Sequence, residues 1–118
     1  MTSEEAREII FGFPGVEEGA SYGHPSFKVN GKFFTRLRAE DASLVLLDID
    51  LDEREMLMEA EPATFHITPH YKNYPSVLAR IETVHPGSLR SFLERRWRKI
   101  APKAAVKAFD AALPAQMS

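Results

Sequence analysis

The chain has 118 residues, no cysteine and a formal net charge of −2 at pH 7. That length is enough for one domain with its own hydrophobic core, and the lack of cysteine excludes disulfides, thiolate metal ligands and a cysteine nucleophile. Because no apolar run approaches the length of a membrane span and the acidic N-terminus is unlike a signal peptide, we expect a cytoplasmic protein with no membrane contact.

Charge is distributed unevenly along the chain. Residues 1–65 contain 6 Lys/Arg and 14 Asp/Glu, a net charge of −8, whereas residues 66–118 contain 9 and 3, a net charge of +6. Such asymmetry can mark a basic binding face. Attraction between the acidic and basic halves within the fold also explains the asymmetry, and we prefer this second interpretation.

The first predicted elements are a short helix and a loop. Thr2–Phe11 reads as a helix in which Thr2 is the N-cap and Glu5 completes a capping box. Its inward stripe is Ala6, Ile9, Ile10 and Phe13. The glycines and Pro25 of Val16–Ser26 predict a loop.

A β-hairpin is predicted over Phe27–Leu37. Asn30-Gly31 separates two runs of alternating apolar and polar residues, and this pair favours a type I′ turn, whose two central positions need positive φ. Alternation places Phe27 and Val29 on one face of the first strand. On the second strand, the predicted apolar face comprises Phe33, Thr35 and Leu37. The basic residues near or on the opposite side are Lys28, Lys32, Arg36 and Arg38.

The middle of the chain predicts two further strands and a helix. Ser43–Ile49 is apolar on both faces, as a central strand should be. A helix follows at Glu53–Glu61, capped by Asp50 or Asp52, with an inward face of Met56, Leu57 and Ala60. Thr64–Thr68 alternates as a short strand.

Two patterns resemble metal sites, although neither leads us to expect a metal. Asp48, Asp50 and Asp52 have the spacing of cation ligands but lack the glycine and glutamate of a calcium loop, and helix capping explains the last of them better. His66 and His70 stand four residues apart, but Pro69 breaks the helical geometry that zinc binding would use.

Aromatic and basic residues follow each other between residues 71 and 80. Tyr71-Lys72-Asn73-Tyr74-Pro75 predicts a turn, and Val77–Ile81 predicts a fifth strand that carries Arg80 outward. Rings stack on bases and cations contact phosphates, so this segment is typical of a nucleic-acid surface. It also fits an ordinary amphipathic turn.

Two helices end the chain. Leu89–Ile100 has an apolar arc that contains Leu89, Phe92, Leu93, Trp97 and Ile100. Arg96 falls inside this arc, so it should either extend its charged end to solvent or pair with an acidic side chain of the negative half, and pairing is the interpretation we prefer to a functional role. Pro102 begins a last helix, whose side chains Val106, Phe109 and Leu113 should pack it against the rest of the domain. We expect one domain over residues 1–113 and a frayed tail over 114–118.

Several motifs, in this order, resemble the MmcQ/YjbR-like family: Phe-Pro-Gly-Val-Glu-Glu-Gly, Ser-Tyr-Gly-His-Pro-Ser-Phe, Gly-Lys-Phe-Phe (31 to 34), Thr-Pro-His-Tyr (68 to 71) and Trp-Arg-Lys-Ile-Ala-Pro-Lys (97 to 103). The resemblance spans about residues 3 to 110. It implies a compact α+β fold of the CyaY-like type, in which an antiparallel sheet of about five strands packs against helices. It also implies DNA binding through hairpins that form a double wing.

Three functional hypotheses follow. The first is a nucleic-acid-binding module that uses Lys28, Lys32, Arg36, Arg38, Lys72, Arg80, Tyr71 and Tyr74. The second is a protein-interaction or small-ligand module with a pocket between two loops, lined by Tyr22, His24, His70 and Tyr71. The third is an enzyme that uses His24, His66 or His70 beside a tyrosine, which we rank last because no nucleophile or paired carboxylate accompanies these histidines. We expect a monomer without cofactors.

Overall fold

The computed structural model describes the backbone of residues 1–21 and 24–117, and the side chains of residues 1–19 and 25–112. The elements are α1 (Ser3–Phe11), β1 (Val16–Ser21), β2 (His24–Val29), β3 (Lys32–Arg38), β4 (Ser43–Leu47), α2 (Leu51–Ala60), β5 (Phe65–His66), a 3₁₀ turn (Pro69–Tyr71), β6 (Ser76–Arg80), α3 (Pro86–Ile100) and α4 (Lys103–Met117). No helix in this part of the chain is long and apolar enough to span a bilayer.

The strands form one antiparallel sheet in the order β1-β2-β3-β4-β6-β5. The predicted α+β class is confirmed, with six strands rather than about five. The extra strand is β1. Its residues belong to the segment Val16–Ser26, which was predicted to be a loop, but they pair with β2 from Val16 opposite Val29 to Ser21 opposite His24. Strand pairing therefore overrides local glycine and proline content here. Pro25 is tolerated because it lies near the start of its strand, beside the edge strand.

The sheet has one face against the helices and one outer face. On the helix side, Leu44, Leu46, Val77 and Ala79 join a core that includes Ile10 of α1, Leu57 of α2 and Trp97 of α3. Val45 and Leu78, which alternate with these residues, point to the other side and pack with the buried ring of Tyr71. We call this second side the outer face.

A β-bulge changes the predicted face of β3. The register pairs Lys28 with Phe33 but Phe27 with Thr35, so Phe34 is an additional residue on β3. Phe34 joins Phe27 in the main core, whereas Phe33 packs against the outer cluster around Tyr71. The predicted grouping of Phe33 with Thr35 and Leu37 was therefore wrong, because alternation holds only within an unbroken ladder.

The hairpin turn and the first helix form as predicted. Asn30 and Gly31 have φ values of 54° and 74°, and Val29 pairs with Lys32 across the turn. In α1, Thr2 and Glu5 form the reciprocal hydrogen bonds of the capping box. Asn30 also donates from Nδ2 to the carbonyl of Ile100 at 3.3 Å, which anchors the hairpin tip to the end of α3.

Helix α2 buries a different face from the predicted one. Asp50 caps it through a 2.8 Å bond from the Glu53 amide, and Leu57 is buried as expected. Met56 is 57% exposed, however, and Ala60 is also exposed. The inward residue besides Leu57 is Arg54, whose guanidinium binds backbone carbonyls.

The last two helices close the core. Leu89, Leu93, Trp97 and Ile100 are buried, and the Trp97 indole donates to the carbonyl of Pro14 at 2.9 Å. Val106 and Phe109 of α4 pack against this core, while the predicted docking side chain Leu113 lies outside the described side chains. Helix α4 continues through residues 114–117, which the sequence assigned to a tail.

Ion pairs join the acidic and basic halves. Asp48 accepts from Arg96 at 3.1 Å and from Lys99 at 2.9 Å, and Glu53 pairs with Arg95 at 2.7 Å. Arg96 also donates to the carbonyl of Phe33. The prediction that Arg96 pairs with an acid is confirmed, and so is the attraction between the halves.

Candidate nucleic-acid interface

The strand register brings four of the predicted phosphate-binding cations to the outer face. Ser43 lies opposite Arg38 on one side and opposite Arg80 on the other, so these three residues share a face with Val45. Arg36 lies two residues before Arg38 on the same strand and therefore on the same face. Lys28 pairs with Phe33, which packs against the outer cluster. The four cations are therefore spread over β2, β3 and β6.

The other two predicted cations lie elsewhere. Lys32 pairs with Val29, a core residue, and so lies at the hairpin tip towards the helix side of the sheet. Lys72 is exposed and follows the 3₁₀ turn whose Tyr71 packs on the outer face. Lys72 is thus beside the outer face, and Lys32 is not on it.

Arg36 is the outer-face arginine with the least local compensation. It makes no hydrogen bond or ion pair with any described residue, and its Nε atom is buried without an acceptor. Its cross-strand neighbour Ser26 is uncharged. No carboxylate of a described residue neutralises the charge of Arg36, so this charge is available to an anion on a bound molecule.

Arg38 is compensated by nearby carboxylates. Its guanidinium lies 3.3 Å from both Glu40 and Asp41, and only 13% of its side chain is exposed. Burial alone would lower the pKa of Arg38, but the hydrogen bond and charge of Asp41 raise it above its ordinary value. The guanidinium also lies 5.5 Å from the centre of the Tyr71 ring. Arg38 is therefore held in place and carries little free positive charge.

Three rings cluster where the 3₁₀ turn crosses the outer face. The ring of His70 lies 4.8 Å from that of Tyr71 and 6.1 Å from that of Tyr74. Tyr71 is only 8% exposed and lies against the Arg38 guanidinium, which suits a positioning role better than stacking on a base. Tyr74 is 55% exposed and is the ring available for stacking.

The predicted pocket between two loops is not assembled from described residues alone. His70 and Tyr71 are in contact, as above. Tyr22 lies outside the described residues, and so does the side chain of His24.

His66 belongs to a polar cluster on the same face. Its Nε2 atom is 2.8 Å from Ser43 Oγ and 3.7 Å from Asp41 Oδ2. Ser43 Oγ donates to the carbonyl of Asp41, so it accepts its second bond from His66 Nε2–H. Burial lowers the pKa of His66, the charges of Arg80 and Arg38 lower it further, and Asp41 opposes them.

This cluster does not have the geometry of a catalytic triad. Asp41 and Ser43 approach the same ring nitrogen, whereas a triad uses the two nitrogens separately. Ser43 is also fully buried, so its hydroxyl cannot reach a substrate. The contacts among Asp41, Ser43 and His66 instead link β4 and β5 to the turn that precedes β4.

Arg54 is a residue that sequence reasoning missed. Its Nη1 atom contacts the carbonyls of Tyr71, Tyr74 and Ser76 at 3.4, 3.1 and 3.2 Å, and Nη2 contacts that of Lys72 at 3.0 Å. The residue is 8% exposed. One side chain therefore holds the whole segment that carries the aromatic cluster. The sequence did contain a signal that Arg54 faces inward, because it lies three residues before Leu57 and four residues before Met58.

The aspartates with the spacing of cation ligands have other roles. Asp48 binds Arg96 and Lys99, Asp50 caps α2, and Asp52 is exposed. Burial alone would raise the pKa of Asp48, but the hydrogen bonds from Lys99 and Arg96 hold it below its ordinary value. The described part of the chain contains no group of three or more metal-ligating side chains.

Comparison with known proteins shows a family but no assigned activity. Residues 11–99 match the family model described as YjbR. Proteins described as uncharacterized in two strains of Mycobacterium tuberculosis and in Mycobacterium bovis are 25% identical over 122 aligned positions, which cover 92% of this chain and 95% of theirs. No solved structure matches significantly.

Proposed function

The chain belongs to the YjbR family, and we propose that it binds nucleic acid through phosphate contacts on the outer face of its sheet. The observation that carries the proposal is the alignment of Lys28, Arg36 and Arg80 on this face, with Arg36 uncompensated by any described residue. Tyr74 supplies an exposed ring in the aromatic cluster around Tyr71. Such contacts carry no sequence information by themselves, so the binding is sequence-independent.

The dimensions of the face suit several phosphates. Neighbouring strands lie about 4.8 Å apart, so β2 and β6 are separated by roughly 14 Å across the sheet. The cations are also displaced along the strands, because Lys28 pairs with Phe33 whereas Arg80 shares a row with Arg38. One strand of duplex advances about 3.4 Å per phosphate, so the cations span at least about four phosphates. Glu17, opposite Lys28, and the carboxylates around Arg38 reduce the field, which favours weak binding at physiological salt.

The proposal uses the sheet face and not a projecting wing. Asn30 anchors the hairpin tip to α3, and β1 covers the outer edge of β2. The hairpin is therefore an internal part of the sheet. A flat face that bears cations on alternate positions suits a backbone better than a groove-inserting tip does.

The test is fluorescence anisotropy of a labelled random single strand and a labelled random duplex, titrated at several salt concentrations. We expect saturable binding at low salt, with log K falling against log salt by about 0.9 per phosphate for the duplex and about 0.7 for the single strand. In Lys28→Gln/Arg36→Gln, the duplex slope should decrease by about two.

The matched control is Arg90→Gln/Lys103→Gln, which removes the same charge from exposed positions at the starts of α3 and α4. It should keep the wild-type slope. Absence of saturable binding at low salt would reject the proposal, and an equal loss in both double variants would show a mere net-charge effect.

A further inference from the structure

A second site lies on the edge of α2, away from the cations of the sheet. A cavity of about 500 Å³ opens between this helix and the segment from Ile67 to Lys72. Small-molecule sites in proteins have volumes of about 300–1,000 Å³. The cavity is therefore large enough for a molecule with one ring or a branched chain.

The walls of the cavity are mainly apolar, with a few polar groups among them. Met58, Ile67 and Pro69 provide the apolar surface. Thr68 also lines the cavity, but its Oγ1 atom is buried and does not reach the cavity surface. An apolar cavity with a few convergent polar groups is the usual form of a ligand site.

The charges around the cavity favour an anion. Arg54 lines the cavity with its guanidinium. The Nη2 atom carries two N–H groups and donates to one carbonyl, that of Lys72, so the second N–H group is left for another acceptor. The Lys72 side chain adds a second positive charge, against the single negative charge of Glu55. A carboxylate suits this arrangement because a guanidinium N–H and an ammonium both donate to it.

We infer that the cavity between α2 and residues 67–72 binds a small organic carboxylate with an apolar body. The carboxylate accepts from Arg54 and Lys72, and the apolar body contacts Met58 and Ile67. The inference is independent of nucleic-acid binding. Neither Met58 nor Thr68 lies among the outer-face cations, so either proposal can fail while the other stands.

The experiment titrates the ¹⁵N-labelled protein, with ¹³C-labelled Met methyl groups, with phenylacetate and follows it by two-dimensional NMR. Neutral benzyl alcohol and cationic benzylamine serve as matched probes. We expect saturable shifts at Met58, Ile67 and Thr68, with a dissociation constant of about 1–10 mM for a ligand of this size. Phenylacetate should bind tightest and benzylamine weakest.

Two variants make the result specific to the cavity. Thr68→Val keeps the side-chain shape, and it should fold well because the hydroxyl it removes has no partner. It should leave phenylacetate binding nearly unchanged, because the buried Oγ1 atom does not contact the cavity. Met58→Ala should weaken binding, whereas its control Met56→Ala, on the exposed side of α2, should not.

Three titration results would overturn the inference. They are linear shifts without saturation, saturable shifts confined to residues outside the cavity, and equal affinity for all three probes. The variant Lys72→Gln then tests the charge argument, because it should reduce the preference for phenylacetate over benzyl alcohol while leaving benzyl alcohol binding unchanged. An unchanged preference would contradict the carboxylate assignment.

Discussion

Replacing Arg54 by methionine should destabilise the protein more than any surface arginine substitution. Methionine keeps the apolar stem and removes the guanidinium that contacts four carbonyls. These carbonyls belong to the segment from Tyr71 to Ser76, which packs on the outer face through Tyr71. The variant therefore tests whether one buried cation organises this segment.

The magnitude depends on how many of the four lost contacts are buried, because water can replace an exposed contact. The Tyr71 and Tyr74 carbonyls keep backbone donors, from the amides of Tyr74 and Ser76. The Lys72 carbonyl belongs to an exposed residue and can be hydrated. The contacts at Tyr71 and Ser76 are buried, and at about 1–2 kcal/mol for each we expect a loss of about 2–4 kcal/mol. This is a large part of a typical domain stability of about 5–15 kcal/mol.

Urea unfolding provides the measurement. The chain has one tryptophan, Trp97, which is fully buried and thus reports loss of the core by its fluorescence. The expected loss corresponds to a decrease of roughly 8–16 °C in Tm for a domain of this size. Arg54→Lys should be intermediate, because an ammonium cannot match the planar fork of donors.

The control is Arg90→Met, which removes an exposed arginine and should change the stability by no more than about 0.5 kcal/mol. If Arg54→Met and Arg90→Met gave equal stabilities, the guanidinium would not hold the segment, and the reasoning above would be refuted.

Two further predictions concern the turn and the histidine cluster. Gly31 has a φ of +74°, so Gly31→Ala should lower the unfolding free energy by about 1–2 kcal/mol, while Gly19→Ala, where φ is not positive and a Cβ meets nothing within 4 Å, should be nearly neutral in the same urea assay. Burial and the charges of Arg80 and Arg38 lower the pKa of His66 below its ordinary 6.5, so the unfolded chain binds this proton more tightly than the native one does. The contribution of His66 to the unfolding free energy is complete above about pH 6.5 and decreases as the pH falls through the native pKa. In His66→Asn, unfolding curves measured from about pH 7.5 to about pH 5 should show a smaller decrease. An unchanged pH profile in this variant would exclude His66 as the source.

Local signals predicted the fold well where one interaction dominates. The Asn30-Gly31 turn, the capping box of α1 and the apolar arc of α3 each depend on residues close in sequence, and each is present. The strand β1 was missed because an edge strand is defined by its partner and not by its own composition. The bulge at Phe34 was missed for the same reason, since it exists only relative to β2.

The candidate sites were predictable only in part. Alternation placed Lys28, Lys32, Arg36 and Arg38 near or on one side of the hairpin and Arg80 outward on a separate strand, and the register brings all of these except Lys32 to one face. Sequence could not show that carboxylates compensate Arg38. Nor could it show which side chains enclose the cavity at α2, because that depends on how the segment from Ile67 to Lys72 lies against the helix.

The two roles of arginine in this protein explain why the net charge is a poor guide to its function. Arg95, Arg96 and Arg98, in the basic half, bind carboxylates, so most of the positive charge on α3 is used within the fold. Arg36 lies in the acidic half and has no such partner among the described residues. Two of the three cations proposed to contact a polyanion, Lys28 and Arg36, therefore lie where the sequence is most negative overall. For this reason the number of cations on the outer face, rather than the overall charge of −2, should determine the salt dependence of nucleic-acid binding.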